Sequence, residues 1–214
     1  MKRIIDLTLP LETGMRGVAV ETASTLRAGG WNATRLSLYS HCGTHVDAPR
    51  HFLDGAGGVD SLPLAACIGP ARVIDLTPVE PREEITVERL GRLRERITRG
   101  DRVLLRTDWS RRHGRAEYRD ALPRIGAGLA RWLVDRGVVL VGVEPPSVAD
   151  VNNLDELAAV HRILLGAGVV VVEGLANLDQ LRSDSVELIV LPLSVRGGDG
   201  APARAVAVIN VEET

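Results

Sequence analysis

The sequence predicts an α/β protein with a mixed sheet, in which residues 1–214 form a single domain. Strand and helix patterns alternate through the second half of the chain, which is typical of that class. Two strand patterns are continuously apolar, as expected for strands that are covered on both faces. No repeat or low-complexity linker divides the chain, and its 45% apolar and 25% charged residues are typical of an ordinary globular protein.

Two short strands are predicted near the N-terminus, at residues 3–9 and 33–39. In the second of them Leu36 and Leu38 alternate with polar residues, which is the period of a half-buried strand. The later strands are predicted at residues 71–76, 102–107, 138–143, 169–172, 187–191 and 204–210.

Three helices are predicted between the later strands, at residues 86–98, 125–136 and 154–165. Gly137 is a usual C-terminal stop for the second helix, and Asn152 or Asn153 could cap the N-terminus of the third. The glycine-rich segment 197–200 lacks the lysine and the following helix of a phosphate loop. It is therefore predicted to be a turn between strands.

Composition excludes several classes of function. The net charge is -2, with no block of like charge, which argues against nucleic acid or a membrane surface as a partner. Lys2 is the only lysine, which opposes Schiff-base catalysis and a Walker-type phosphate loop. Cys42 and Cys67 cannot form a disulfide framework and fit a reducing cytosol. Without an apolar run of 18 residues, the sequence predicts a soluble, cytoplasmic protein.

Three of the five histidines lie within eleven residues, in the segment HCGTHVDAPRH at positions 41–51. In a straight strand His41 and His45 would lie about 13 Å apart, whereas two imidazoles on one zinc ion each place a nitrogen about 2.0–2.1 Å from it. Gly43 and Pro49 both oppose a helix here. The spacing therefore predicts a bent loop, with its bend at Gly43, that carries a metal or acid–base site.

Four further residues are considered for this site. Asp47 lies among the histidines and adds a carboxylate, whereas Cys42 is expected to be a small buried side chain rather than a thiolate. His161 lies on the apolar face of the predicted helix 154–165, where an ordinary core histidine is the alternative. Glu173 follows four valines at the end of a buried strand, where α/β proteins place their sites. The alternative role for Glu173 is a carboxylate at the strand end that is exposed to solvent.

The histidine-rich segment resembles a family signature. The pattern H-x-G-T-H-x-D-x-P-x-H at His41 to His51, followed by Phe52, is similar to that of the cyclase family, which includes the bacterial metal-dependent kynurenine formamidases. Further segments resemble the family along nearly the whole chain. They are residues 143–148, 161–165, 173–178, 191–193 and 198–205.

The resemblance implies a swivelling β/β/α-type fold, a homodimer or homotetramer, and two divalent metal ions. The implied ligands are His41, His45 and Asp47 for one ion, His161 for the second, and Asp47 and Glu173 for both. His51 is implied as the proton donor and acceptor. Imidazole and carboxylate ligands suit zinc, with manganese as the alternative.

The implied activity is hydrolysis of a carbon–nitrogen amide bond, as in the arylformamidases that act on N-formylkynurenine in tryptophan catabolism. The partner is then a small-molecule amide or formamide. A pair of metal ions can provide a bound hydroxide at neutral pH and polarise the carbonyl. A histidine suits the protonation of the leaving amine, and Phe52 is the candidate ring for stacking on an aryl substrate.

Alternatives stay open at this point. The kynurenine formamidases of the family carry a tryptophan near the N-terminus, whereas residues 12–18 contain none, so a cyclic amide hydrolase such as isatin hydrolase is comparably compatible. Arg16 or another arginine could meet a substrate carboxylate. A cyclase or dehydratase of the family could use the same groups without net hydrolysis. In a non-enzymatic alternative, the metal site is structural and closed.

Overall fold

A computed structural model describes residues 1–210 and contains strands, α-helices and short 3₁₀ turns. The strands are β1 (Lys2–Asp6), β2 (Val18–Ser24), β3 (Ala33–Leu38), β4 (His45–Asp47), β5 (Ile68–Asp75), β6 (Glu84–Ile85), β7 (Arg102–Arg106), β8 (Arg124–Ile125), β9 (Leu140–Val143), β10 (Val170–Glu173), β11 (Ser185–Pro192) and β12 (Gly200–Asn210). The α-helices are α1 (Leu26–Gly29), α2 (Leu64–Cys67), α3 (Glu117–Asp120), α4 (Ala127–Asp135) and α5 (Leu154–Gly166). The 3₁₀ turns are Pro49–His51, Val59–Ser61, Glu88–Arg96, Trp109–Arg112 and Leu178–Gln180.

Eight strands form one mixed sheet in the order β1-β12-β11-β5-β7-β9-β10-β4. The neighbours from β5 to β10 are parallel, and the other pairs are antiparallel. The sheet closes on itself because β4 pairs with both β10 and β12. The predicted α/β class with a mixed sheet is confirmed, and the strand that closes the sheet belongs to the histidine-rich segment.

The two apolar strands in the middle of the sheet are buried on both faces, as predicted. Every residue of β9 and β10 is buried. Val141 and Val171 pack in the hydrophobic cluster that contains the buried side chains of α4 and α5. Leu140 and Val170, which are their neighbours in sequence, pack in a second cluster with the strands of the opposite face. This alternation follows from the strand period of two residues. Because both faces of β9 and β10 are packed, the ends of these strands are held in place, and the candidate site lies there.

Two of the three predicted helices are confirmed, as α4 and α5. Gly137, with φ of 72°, follows α4, and the Asn153 side chain accepts a hydrogen bond from the Glu156 N–H at the start of α5. The predicted helix over residues 86–98 is wrong. Glu88–Arg96 forms 3₁₀ turns instead, interrupted at Gly91, whose φ of 54° and ψ of -136° cannot continue a right-handed helix. No helix within residues 1–210 has the length and apolar character needed to cross a membrane.

The N-terminal part differs most from the sequence-based expectation. β1 ends at Asp6 rather than at residue 9, and β2 was not predicted. β2 and β3 pair only with each other, in a two-stranded sheet outside the eight-stranded one. Leu36 is therefore 55% exposed, and the half-buried strand expected from its alternation is wrong. An alternating pattern identifies a strand but does not show which surface, if any, covers it.

Candidate active site and metal centre

The histidine-rich segment lies where the sheet closes. β4 is hydrogen-bonded between β10 and β12. His45 and Asp47 point to the same side of the strand because side chains two residues apart share a face. Glu173 is the direct antiparallel partner of His45, and directly opposed residues in such a pair bring their side chains together. The closing register thus assembles three of the predicted metal ligands.

The predicted bend at Gly43 is confirmed, with φ of 58°. A methyl group on Gly174, whose φ is 67°, would clash with the carbonyl oxygen of Gly43. Thr44 is buried between these segments. Its hydroxyl accepts a hydrogen bond from the Leu9 N–H (2.8 Å) and donates one to the Gly174 carbonyl (2.5 Å). These contacts hold the bend against the end of β10.

Replacing Thr44 by valine is expected to lower the free energy of unfolding by about 2–4 kcal/mol. Valine has a similar shape, but it leaves the Leu9 N–H and the Gly174 carbonyl unpaired in a buried position, at about 1–3 kcal/mol each. Urea unfolding measures the effect. Thr22→Val, on the exposed β2 strand, is the control and should change stability by less than about 0.5 kcal/mol. An equally small change at Thr44 would contradict this role.

The carboxylates of Asp47 and Glu173 lie among three imidazoles. Asp47 Oδ1 is 2.7 Å from His41 Nδ1 and 3.5 Å from His45 Nε2. Its Oδ2 is 3.4 Å from His161 Nε2. Glu173 Oε2 is 3.2 Å from His45 Nε2, and its Oε1 is 3.3 Å from His161 Nε2. The fold therefore brings together all five residues predicted as metal ligands.

Backbone carbonyls determine which imidazole nitrogens face the carboxylates. His45 Nδ1 is 3.0 Å from the Gly43 carbonyl oxygen, and His161 Nδ1 is 2.7 Å from that of Leu157. Since a carbonyl oxygen can only accept, each Nδ1 carries a proton and donates it. Nε2 of both histidines then faces the cluster, which is how metal-ligating histidines are usually oriented.

The cluster fits a divalent metal ion. His45 Nε2 and Asp47 Oδ2 are buried without a hydrogen-bond partner among residues 1–210, and such atoms are costly unless something satisfies them. One cation would satisfy both. His41, His45 and Asp47 each offer a ligand atom, and these atoms lie within 4.8 Å of one another. A set of imidazoles and carboxylates suits zinc or manganese.

The ionisable side chains of the cluster change one another's pKa. Burial by itself lowers the pKa of a histidine, but the hydrogen bond and the charge of Asp47 raise the pKa of His41 to about 9. Burial also lowers the pKa of His161, but the neighbouring carboxylates of Asp47 and Glu173 raise it to about 10. Burial opposes ionisation of Asp47, yet the neighbouring imidazoles of His161, His41 and His45 hold its pKa well below the usual range. Asp47 is therefore ionised, as a metal ligand must be.

His51 and Phe52 stack on two of the cluster's imidazoles. The His51 ring stacks on that of His41 with 3.9 Å between centroids, and the Phe52 ring stacks on that of His161 at 4.5 Å. Both line a cavity of about 500 Å³ that reaches Glu173. Burial lowers the pKa of His51. The side chain of His51 is 24% exposed, so it is accessible from the cavity.

Asp199 was missed by the sequence analysis. The connection from β11 to β12 runs over residues 193–199, so the predicted turn between strands is confirmed. However, Asp199 Oδ2 lies 3.1 Å from His41 Nε2 and 3.9 Å from His51 Nδ1. No local spacing marks this residue, because it is 158 positions from His41. The one sequence feature that could have indicated Asp199 is its position between two glycines shortly before a predicted strand.

Both cysteines are free and buried. Burial raises the pKa of the Cys42 thiol, which disfavours the thiolate needed for a ligand or nucleophile. The expectation that Cys42 is a small buried side chain is confirmed, since it is 2% exposed.

Comparison with known sequences supports one family. The family described as "Putative cyclase" matches residues 5–150. A kynurenine formamidase from Bacillus thuringiensis (strain Al Hakam) is 36% identical over 210 residues, which cover 94% of this chain and 95% of the relative. A kynurenine formamidase from Salinibacter ruber (strain DSM 13855 / M31) is 40% identical over 175 residues, which cover 82% and 79% of the two chains.

Solved structures agree with the sequence relatives. Isatin hydrolase A from Labrenzia aggregata, bound to benzyl benzoate, matches with a TM-score of 0.88 and 30% identity, over 98% of this chain and 94% of that one. A structure described as a potential metal-dependent hydrolase with cyclase activity matches with a TM-score of 0.81 and 27% identity, over 99% and 100% of the chains. The fold, the histidine-rich segment and these full-length similarities show that the chain belongs to the cyclase family.

Proposed function

We propose that this cyclase-family protein is a metal-dependent hydrolase of a carbon–nitrogen amide bond and that N-formyl aryl amines such as N-formylkynurenine are its substrates. The observation that carries the proposal is the buried cluster of three imidazoles and two carboxylates beside the cavity. The hydrolase class is supported by relatives that are named kynurenine formamidase and isatin hydrolase. The choice of N-formyl aryl amines as substrates is the more specific part of the proposal.

Two divalent ions, zinc or alternatively manganese, are proposed for the cluster. The assigned ligands are His41, His45 and Asp47 for one ion, His161 for the second, and Asp47 and Glu173 for both. The two oxygens of Asp47 support a bridging role, because Oδ1 faces His41 and Oδ2 faces His161. When bound, such ions supply a Lewis acid for the carbonyl oxygen and lower the pKa of water to about 7.

His51 is assigned to proton transfer. Its Nδ1 is oriented toward Asp199, so Nε2 is the nitrogen that takes a proton from the attacking water and returns it to the leaving amine nitrogen. Burial lowers the pKa of His51, which keeps the ring neutral before the reaction and able to accept that proton. Phe52 is held by its stacking on His161 and provides a flat apolar wall for an aryl ring.

A cyclic amide is the second candidate substrate. Isatin hydrolase A matches over 98% of the chain, and residues 12–18, four of which line the cavity, contain no tryptophan. Turnover of isatin and of N-formyl aryl amines, measured side by side on the zinc-loaded and manganese-loaded protein, ranks the two substrate classes.

Hydrolysis predicts that one oxygen atom of the product acid comes from solvent. In isotopically labelled water, label should enter formate from a formamide, or the ring-opened acid from isatin. A chelator should reduce turnover to background, and added zinc or manganese should restore it, while circular dichroism shows a folded chain throughout. Product without label would favour the cyclase or dehydratase alternative. Unfolding on chelation, with no amide turned over, would favour a structural metal site.

We also propose a cytoplasmic homodimer or homotetramer that assembles through the β2–β3 hairpin. Trp31, in the connection between the two strands, and Leu36, on β3, are 62% and 55% exposed, and exposed apolar side chains on one element can mark an interaction surface. Light scattering should give a multiple of 23.0 kDa. Leu36→Glu should shift the mass toward the monomer, whereas Leu64→Glu, at a position 60% exposed elsewhere, should not. A monomeric wild-type chain would contradict this assembly.

A further inference from the structure

The ring of His41 is oriented differently from those of the other two ligand histidines. His45 and His161 each turn Nδ1 toward a backbone carbonyl and Nε2 toward the carboxylates of the cluster. In His41 the order is reversed, because Nδ1 lies 2.7 Å from Asp47 Oδ1 and Nε2 lies 3.1 Å from Asp199 Oδ2. The outer nitrogen of His41 therefore faces a carboxylate, where the other two histidines have a carbonyl oxygen.

The neighbours of the His41 ring hold it in this orientation. The ring stacks on that of His51 with 3.9 Å between centroids, and it meets the ring of His45 edge-on at 5.2 Å. On the side of β12, a methyl group on Gly200 would lie 2.7 Å from His41 Cε1, so glycine lets the ring pack closely against the strand. Turning the ring over would displace these groups, and each nitrogen therefore keeps its partner.

The closing of the sheet also places Asp199. Its backbone carbonyl accepts a hydrogen bond from the Ala48 N–H (2.9 Å), and the next residue, Gly200, is the register partner of Asp47 where β12 pairs with β4. Asp199 Oδ2 is 3.9 Å from His51 Nδ1, which is beyond hydrogen-bond distance. Among the histidines of the site, the hydrogen-bond partner of the Asp199 side chain is thus His41.

A neutral imidazole carries one ring proton, and His41 has two carboxylates to which it could donate that proton. A proton on Nδ1 would be donated to Asp47 and would leave no lone pair of His41 toward the cluster. A proton on Nε2, donated to Asp199, leaves the lone pair on Nδ1, which faces Asp47. Only the second arrangement lets His41 act as a ligand within the cluster.

We propose that Asp199 is a positioning residue that holds the ring proton of His41 on Nε2, so that His41 binds its metal ion through Nδ1 whereas His45 and His161 bind through Nε2. This inference rests on the metal centre of the proposed function. A carboxylate behind a ligating histidine fixes its tautomer and raises its basicity, and loss of such a partner typically lowers metal affinity by about 10- to 100-fold.

Zinc binding to Asp199→Ala tests the proposal. Competition with a chromophoric chelator should show that the affinity for one zinc ion falls by about 10- to 100-fold. Asp199→Asn should lose less affinity, because the amide oxygen can still accept from the Nε2–H group although it carries no charge. The side chain of Asp199 is 46% exposed, so both variants are expected to fold, and circular dichroism checks this.

Asp60→Ala is the matched control. Asp60 Oδ1 accepts a hydrogen bond from the Gly197 N–H (2.9 Å), in the connection that carries Asp199, so this variant loses an anchor of the same loop without losing the partner of His41. It should keep the wild-type zinc affinity. An equal loss in Asp60→Ala and Asp199→Ala would assign Asp199 to the structure of the loop and overturn the positioning role.

Long-range nitrogen–proton NMR spectra of the zinc-loaded protein identify the ring nitrogen that binds zinc in each histidine. We expect Nδ1 for His41 and Nε2 for His45 and His161. In Asp199→Ala the His41 signals should change to those of a ring without bound zinc at the zinc concentration that saturates the wild-type protein. Zinc on Nε2 of His41, or unchanged zinc affinity in Asp199→Ala, would overturn the proposal.

Neither measurement needs turnover, so the two proposals can fail separately. Zinc bound in the expected pattern without hydrolysis of any amide would support the role of Asp199 and contradict the hydrolase. Hydrolysis with unchanged zinc affinity in Asp199→Ala would contradict the role of Asp199 alone. A wild-type protein that binds no zinc at the cluster would overturn the metal centre and the positioning role together.

Discussion

Replacing Asp47 by asparagine is expected to remove metal from the centre and to lower kcat/KM by at least about a thousandfold, or about 4 kcal/mol. Asparagine keeps the shape of the side chain but loses the charge. Asp47 is fully buried and contacts His41, His45 and His161, so the substitution removes a charge from the middle of the proposed ligand set.

Elemental analysis of the purified variant, beside turnover of a formamide, measures both effects. Asp54→Asn is the matched control, because Asp54 is exposed and follows the same segment, and it should retain metal and turnover. An Asp47→Asn protein with two ions per chain and a near-normal rate would show that Asp47 is not a ligand.

Replacing His51 by alanine is expected to retain the metal ions and to lower kcat by about 10²- to 10⁴-fold, the usual contribution of general acid–base catalysis. The reason is that His51 stacks on the ring of His41 without taking part in the Asp47 and Glu173 contacts. Added imidazole should restore part of the rate, because it can transfer the same proton.

The metal content of His51→Ala separates two roles. His51 also offers a ring nitrogen within 4.8 Å of a carboxylate oxygen of Asp47 and a ring nitrogen of His161, so the geometry allows His51 to be an additional ligand. Loss of metal in the variant would assign His51 to that role. Retained metal with a near-normal kcat would show that His51 neither transfers the proton nor binds the metal.

The histidine-rich segment is identifiable from the sequence because its chemistry is local. Three candidate ligands lie within seven residues of one another, and Gly43 marks the bend that they require. The other two, His161 and Glu173, have structural alternatives when read alone. Their roles depend on the pairing of β4 with β10, which places Glu173 opposite His45, and on the packing of α5 over that edge. Resemblance to the family indicated this long-range arrangement, whereas residue spacing did not.

The remaining differences have physical causes of the same kind. Asp199 reaches the site only because β12 pairs with β4, and no pattern within residues 197–200 encodes that pairing. The helix expected over residues 86–98 has the right amphipathic period, but Gly91 takes a positive φ that ends it. The hairpin of β2 and β3 shows an alternating pattern without a core to bury it. Local periodicity identified strands and helices better than it identified what they pack against.

Anomalous diffraction at the zinc absorption edge, from crystals of the zinc-loaded protein, tests the two-metal centre most directly. Two peaks are expected about 3.5–4 Å apart, one beside His41 and His45 and the other beside His161, with Asp47 and Glu173 between them. A single peak enclosed by four protein ligands, or no peak at this cluster, would contradict the catalytic centre proposed for this protein.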